Sequence, residues 1–171
     1  MDKPILKRIF NRFLHLLARF SPGSTNFRPF LHRLRGVKIG RSVFIGDDVY
    51  LENEHPDCVE IEDGVCIGLR STIIAHSGGL GEHGKITIQK KATIMSCCTI
   101  VCSAGQSLII GEGAVISAGS VVSNNVAPHT LCAGPRITAV AQVTVPYTLE
   151  VTHEDFVRGL RPLSPGKKTE K

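Results

Sequence analysis

The chain has 171 residues, 42% of them hydrophobic, with no Trp and a formal charge of +5. Residues 1–36 carry eight Lys and Arg against Asp2, a balance of +7, so the rest of the chain totals −2. The length suits one domain, the body of the chain is not a nucleic-acid binder by charge, and attraction to anionic partners belongs to the front segment.

Residues 4–20 read as a helix, with Ile5, Ile9, Phe13, Leu16, Leu17 and Phe20 on one face at steps of three or four. Lys7, Arg8, Arg12 and Arg19 interrupt any apolar run, so neither a transmembrane span nor a secretory core is predicted. The apolar face is expected to bury against the body of the protein or a neighbouring subunit. The alternative is a basic amphipathic helix in which residues 1–20 make peripheral contact with the inner face of a membrane. Ser21-Pro22-Gly23 ends the helix. Phe27, Phe30, Leu31 and Leu34 predict a second, short helix covering the open end of the body of the chain.

That body is a repeat. An aliphatic residue returns every six positions in four groups of three: Ile39, Ile45, Leu51; Ile61, Ile67, Ile73; Ile88, Ile94, Ile100; Ile110, Ile116, Val122. Two residues before each stands a second small or apolar residue, from Val37 and Val43 to Ala114 and Ser120. Positions two apart on a strand share a face, so each hexad is a short strand with two inward side chains. Six does not match the 3.6-residue helical turn, and the turns of a β-sandwich would not fall at this interval. Stacked triangular coils, an all-β parallel β-helix of four turns, are predicted. Gly40, Gly46, Gly68 and Gly111 come directly after the repeat residue and are expected to serve its corners by tolerating turn geometry.

The beat slips only between groups, by four, nine and four extra residues, so all three inserts should leave from one corner. The longest insert holds His76-Ser77-Gly78-Gly79-Leu80-Gly81-Glu82-His83. Loops on rigid scaffolds are where function concentrates. Imidazole titrates near neutral pH and can relay a proton. His76 stands at the root of the loop and is favoured over His83, placed nearer its tip. The six cysteines include no CxxC pair and no Cys/His ladder, so they read as structural or incidental thiols in a reducing cytoplasm. Beyond the repeat, His153–Leu160 predicts one or two turns of helix, and the Pro- and Lys-rich end reads as disordered. The expected layout is a helical segment over 1–36, a β-helix over 37–127, and a C-terminal strand, helix and tail over 128–171.

The runs VKIGRSVFIGDDVYLE, VEIEDGVCIGLRSTII and LIIGEGAVISAGSVV resemble the hexapeptide-repeat, or isoleucine-patch, acyltransferases over roughly residues 30–140. The short front segment is more similar to the sugar, maltose and xenobiotic acetyltransferases, and to polysaccharide-modifying relatives, than to the serine O-acetyltransferases with their larger helical domain. The resemblance implies a left-handed β-helix, a homotrimer, acetyl-CoA as co-substrate and no required metal. It implies direct transfer of an acetyl group to a hydroxyl of a sugar or saccharide, with His76 matching the family's general base. Ser96 matches the position whose backbone N–H supports the oxyanion. The run ISAGSVVSNNVAPHTLCAGPRITAV is similar to the family's closing AGSVV…AGNPAK, where pantetheine lies between two subunits. That implies coenzyme contacts at Ala118, Gly119 and Ser123 and a phosphate contact at Arg136. Two departures stand out: AGPRI lacks the family's Asn, and Ser123-Asn124 replaces a Thr-Lys pair. The group that orients His76 is left open among Glu52, Glu54, Glu62, Glu82 and a backbone carbonyl. Two other readings of the repeat are a non-catalytic assembly module and a γ-carbonic-anhydrase-like metalloenzyme. The latter needs three well-spaced ligands, whereas His76 and His83 are seven apart and the next histidine is His129.

Overall fold

The computed structural model describes residues 5–76, 83–134, 141–146, 148 and 150–162. Each hexad forms a strand of two to four residues. Coil one is β1 (Lys38–Ile39), β2 (Phe44–Ile45) and β3 (Tyr50–Leu51). Coil two is β4 (Val59–Ile61), β5 (Cys66–Ile67) and β6 (Thr72–Ile74). Coil three is β7 (Lys85–Ile88), β8 (Thr93–Ile94) and β9 (Thr99–Val101). Coil four is β10 (Ser107–Ile110), β11 (Val115–Ile116) and β12 (Val121–Val122).

First, second and third strands stack into three separate parallel sheets, the faces of a prism. On the first face Ile39, Ile61, Ile88 and Ile110 lie in register; on the second, Ile45, Ile67, Ile94 and Ile116; on the third, Leu51, Ile73, Ile100 and Val122. All of these are buried except Ile39, which is partly exposed. The paired inward set from Val37 to Ser120 is buried throughout. One column of bulky aliphatic side chains and one of smaller ones therefore fill the interior, as the two registers predict.

The repeat continues past Val122. Val126 bridges Ile110 on the first face, and β13 (Leu131–Cys132) pairs with β11 on the second. Val126 and Cys132 are again six apart, but Val122 and Val126 are only four apart. Here the corner is shortened rather than lengthened, which hides the fifth, partial coil from a search for the six-residue beat. The compact unit accordingly runs to Gly134 rather than ending at 127. The second unit begins at Pro135. It contains β14 (Gln142–Val143), paired antiparallel with β15 (Leu160–Arg161), and α3 (His153–Arg158), capped by Thr152 on the Asp155 amide. The tail expected to be disordered lies, from residue 163 on, outside the described residues.

The glycines after the repeat residue are needed for a reason other than turn geometry. Their φ values are not positive; the left-handed residues fall three places after the repeat residue, at Ser42, Asp48, Arg70, Lys91, Cys97 and His129, for example. At Gly46 and Gly68 it is space that is lacking, because the backbone of the next coil passes directly over them. A Cβ on Gly46 would lie 2.6 Å from the Leu69 amide nitrogen, and one on Gly68 2.5 Å from that of Ser96.

Two helices close the first coil, α1 (Ile5–Phe20) and α2 (Phe27–Leu34). With no coil beneath it, the first coil has backbone groups that stacking cannot satisfy. Arginines supply the donors, one for each face. Arg33 bonds the Ile39 and Gly40 carbonyls, Arg28 the Ile45 carbonyl, and Arg35 the Leu51 and Glu52 carbonyls. Backbone carbonyls of Ser24 and Arg19 accept from the Ile45 and Asp48 amides. Arg28 is 2% exposed, and its guanidinium also reaches Asp47. Arg35 donates to buried His32, whose ring meets that of buried His15, and His15 in turn lies edge-on to Tyr50. Burial, then the nearby Arg35, holds both imidazoles neutral: His15 is lowered to about 3 and His32 well below its usual value.

The helices bury the face not expected from the pattern. Leu14, His15 and Ala18 of α1 and Arg28, Pro29, Leu31 and His32 of α2 turn inward. Ile5, Ile9, Phe13, Leu16, Leu17 and Phe20 are 43–73% exposed, and Phe27, Phe30 and Leu34 are also exposed. The large apolar face of α1 is therefore not packed on the prism of its own chain. The end of the first coil presents backbone carbonyls and amides, matched by Arg28, Arg33 and Arg35 and by the carbonyls of Arg19 and Ser24.

Replacing Gly68 with Ala forces Cβ against a backbone that cannot move without opening the ladder. Gly68→Ala is expected to lower the unfolding free energy by about 1–3 kcal/mol in chemical denaturation.

Candidate active site

Three inserts leave the prism between its third and first faces, after β3, β6 and β9. The first, after β3, contains a short 3-10 turn at Pro56–Cys58. The second is pinched at its neck by a bond from the Gly84 amide to the Ala75 carbonyl, 2.5 Å long. Its residues 77–82, including Glu82, lie outside the described residues.

His76 emerges immediately after Ala75, and its Nδ1 lies 2.7 Å from Oε2 of Glu52. Glu52 comes directly after β3 in the coil below and is fully buried. Its Oε2 also accepts from the Ala75 amide at 2.8 Å, and its Oε1 accepts from the Glu54 and His55 amides at 2.8 and 3.1 Å. Burial favours the neutral acid, but the bond from His76 and those from the backbone amides outweigh it, so the carboxyl is held below its usual value of 4.5. An ionised carboxylate accepts only, so His76 Nδ1 carries the proton and Nε2 of the neutral ring is left as a base. The ring is 40% exposed, beside a buried carboxylate. A solvent-accessible base whose tautomer is fixed from beneath is the arrangement that general-base chemistry requires.

Of the groups considered for orienting His76, Glu52 makes the contact. Glu54 instead turns to α1, taking Arg8 at 3.4 Å and Arg12 at 2.6 Å. Glu62 accepts from the Lys90 amide. His83 stands not at a tip but at the second root of the loop, next to Gly84. Its Nδ1 is 3.1 Å from Cys58 Sγ, and its ring lies 4.5 Å from that of His55. Neither contact was legible in the sequence, because Cys58 and His55 belong to a different insert.

The other site candidates occupy different places on the prism. Ser96 lies just past β8, at the corner between the second and third faces. Ala118 and Gly119 lie past β11 at the same corner one coil higher, and the Gly119 amide donates to the Ser96 carbonyl at 3.0 Å. Ser96 is half-buried, and Ala118 and Gly119 are exposed. These three form one edge of the prism, while His76 belongs to the next edge. Ser123 does not join Ala118 and Gly119. It comes after β12, past the third face, because that strand turns the chain around to the edge of the inserts. Arg136 lies outside the described residues. The six cysteines are unpaired by disulfides. Cys98 is fully buried, and burial pushes its thiol up. Among the described residues no group of three or more His, Cys, Asp and Glu is arranged to hold a metal ion.

No protein-family model and no curated protein matches the chain. Among solved structures it is similar to a hexapeptide-repeat-containing acetyltransferase from Vibrio cholerae O1 biovar eltor, crystallised with acetyl coenzyme A. The TM-score is 0.54 at 21% identity, over 76% of this chain and 83% of that one. The fold is a left-handed β-helix. Its three inserts share one edge of the helix, and the Glu52–His76 pair spans the first two of them.

Glu52 also ties acid stability to the site. A carboxyl depressed in the folded state contributes stability above its unfolded value, near 4.5, and loses it as pH falls through the folded value. Glu52→Gln is expected to lower the denaturation midpoint at pH 7 and to flatten the loss of stability below about pH 4.5. Urea titrations from pH 3 to 7 check both effects.

Proposed function

We propose that this β-helix is an acyltransferase that moves the acetyl group of acetyl-CoA to a hydroxyl of a sugar or saccharide. The observation that carries the reading is the lock of His76 Nδ1 on buried Glu52, which leaves Nε2 free to act at the edge of the inserts. The similar Vibrio protein, crystallised with acetyl coenzyme A, supports the choice of donor.

Transfer is direct. Nε2 of His76 takes the proton of the acceptor hydroxyl as its oxygen attacks the thioester carbonyl. The tetrahedral intermediate then expels the coenzyme A thiolate, which takes the proton back from the imidazolium. Glu52 stabilises that imidazolium and holds the ring in place, so no covalent enzyme intermediate is needed.

The intermediate's oxygen takes the Ser96 backbone N–H as donor. Ser96 and His76 stand on different edges of one chain, so the reading includes a homotrimer. In it the His76 edge of one subunit faces the Ser96–Ala118–Gly119 edge of the next, and the pantetheine arm runs along that second edge. A cleft shared in this way accounts for the exposure of Ala118 and Gly119.

His76→Ala is expected to lower kcat by roughly 10²–10⁴-fold with little change in oligomer mass. Release of coenzyme A thiol in the presence of sugar acceptors, with light scattering alongside, is the measurement. Near-normal turnover by His76→Ala would remove the assignment.

A further inference from the structure

The apolar face of α1 is the largest feature that the acetyl-transfer reading leaves unused. Eight large apolar side chains of this helix are 43–77% exposed, among them Ile9, Phe10, Phe13, Leu16, Leu17 and Phe20. On a helical wheel they fill one continuous arc, while Leu14, His15 and Ala18 fill the arc that faces the chain. Phe27, Phe30 and Leu34 of α2 add further exposed apolar surface, with the Phe27 and Phe30 rings stacked 6.4 Å apart. Isolated exposed apolar residues are ordinary on a protein surface, but a contiguous set of this size marks a contact surface.

Charge indicates what covers it. From Lys3 to Gly46 the sequence contains no Asp or Glu. Residues 1–54, the helices and first coil, carry ten Lys and Arg against five Asp and Glu, a balance of +5; residues 55–171 balance at zero. The net positive charge thus lies in the stretch that bears the apolar face; Arg28 and Arg35 are buried within it, whereas Lys7, Arg8 and Arg12 of α1 are exposed. Arg8 and Arg12 flank the arc and remain 53% and 62% exposed even while paired with Glu54. An apolar face bordered by one sign of charge suits an anionic lipid surface, where acyl chains take the side chains and headgroups take the cations. Among the described residues no helix is long and apolar enough to cross a membrane, so the helix would lie in the interface.

We infer that α1, with the exposed phenylalanines of α2, docks this protein flat on an anionic membrane surface. The inference does not rest on acetyl transfer, since it is read out by partition. Full-length protein is co-sedimented with phosphatidylcholine vesicles containing phosphatidylglycerol and with pure phosphatidylcholine vesicles, at low and high salt. Partition into the anionic vesicles is expected to be about tenfold or more above the neutral ones and to weaken with salt. Phe10→Ser/Phe13→Ser/Leu17→Ser is expected to lose this partition while keeping its circular dichroism and oligomer mass. Wild-type protein that stays in the supernatant with anionic vesicles overturns the inference without any variant. So does a triple variant that partitions like wild type. A triple variant with lower oligomer mass assigns the face to a second copy of the chain and overturns the inference equally.

Discussion

One buried carboxylate joins the parts of this molecule that bear on function. Glu52 stands where the first coil ends and the first insert begins. It accepts two amides from its own insert, one amide from the root of the second, and the His76 ring. Its backbone carbonyl accepts from Arg35 of the helical cap. A buried carboxylate with fewer donors would be costly and would take up a proton. Here three donors are backbone amides, two in its own insert and one at buried Ala75 on the next coil, and the fourth is the His76 ring, so both oxygens of the charge are met. The site is thus anchored in the core rather than in the loop.

Most of the fold was legible because its causes are local and periodic. The six-residue beat at Ile45, Ile67, Ile94 and Ile116 reports an inward position on every coil, and the small residue two places earlier reports the second. The partial fifth coil was hidden because its corner loses residues where the others gain them. The glycines were located but misread: composition shows that a Cβ is missing at Gly68, not that the Ser96 amide is what occupies the space. The position of His76 was legible from the slip in the repeat. Its partner was not, because Glu52 is twenty-four residues away and three other acids looked equivalent until stacking placed one beneath the ring. Ser123 looked continuous with Gly119 in sequence, yet β12 carries it around to another edge.

The cations of the front segment divide between two tasks. Lys7, Arg8 and Arg12 stay exposed beside the apolar face of α1. The fold commits Arg28, Arg33 and Arg35 to carbonyls of the first coil and Arg19 to Asp48. Arg28, Arg33 and Arg35 finish hydrogen bonds that a preceding coil would have made. By taking over that task they also explain why α1 presents its narrow side inward: the end of a stack of strands offers polar backbone and little grease, so the broad aliphatic side has nothing to fill beneath it.

All three inserts leave by the same edge, and the coils on either side keep their pairing although those inserts differ in length. A stack built this way separates the inheritance of shape from the inheritance of chemistry. Residues can be gained or lost on that single seam while every buried isoleucine keeps its neighbours, so descendants of one scaffold can change what they grip without relearning how to fold.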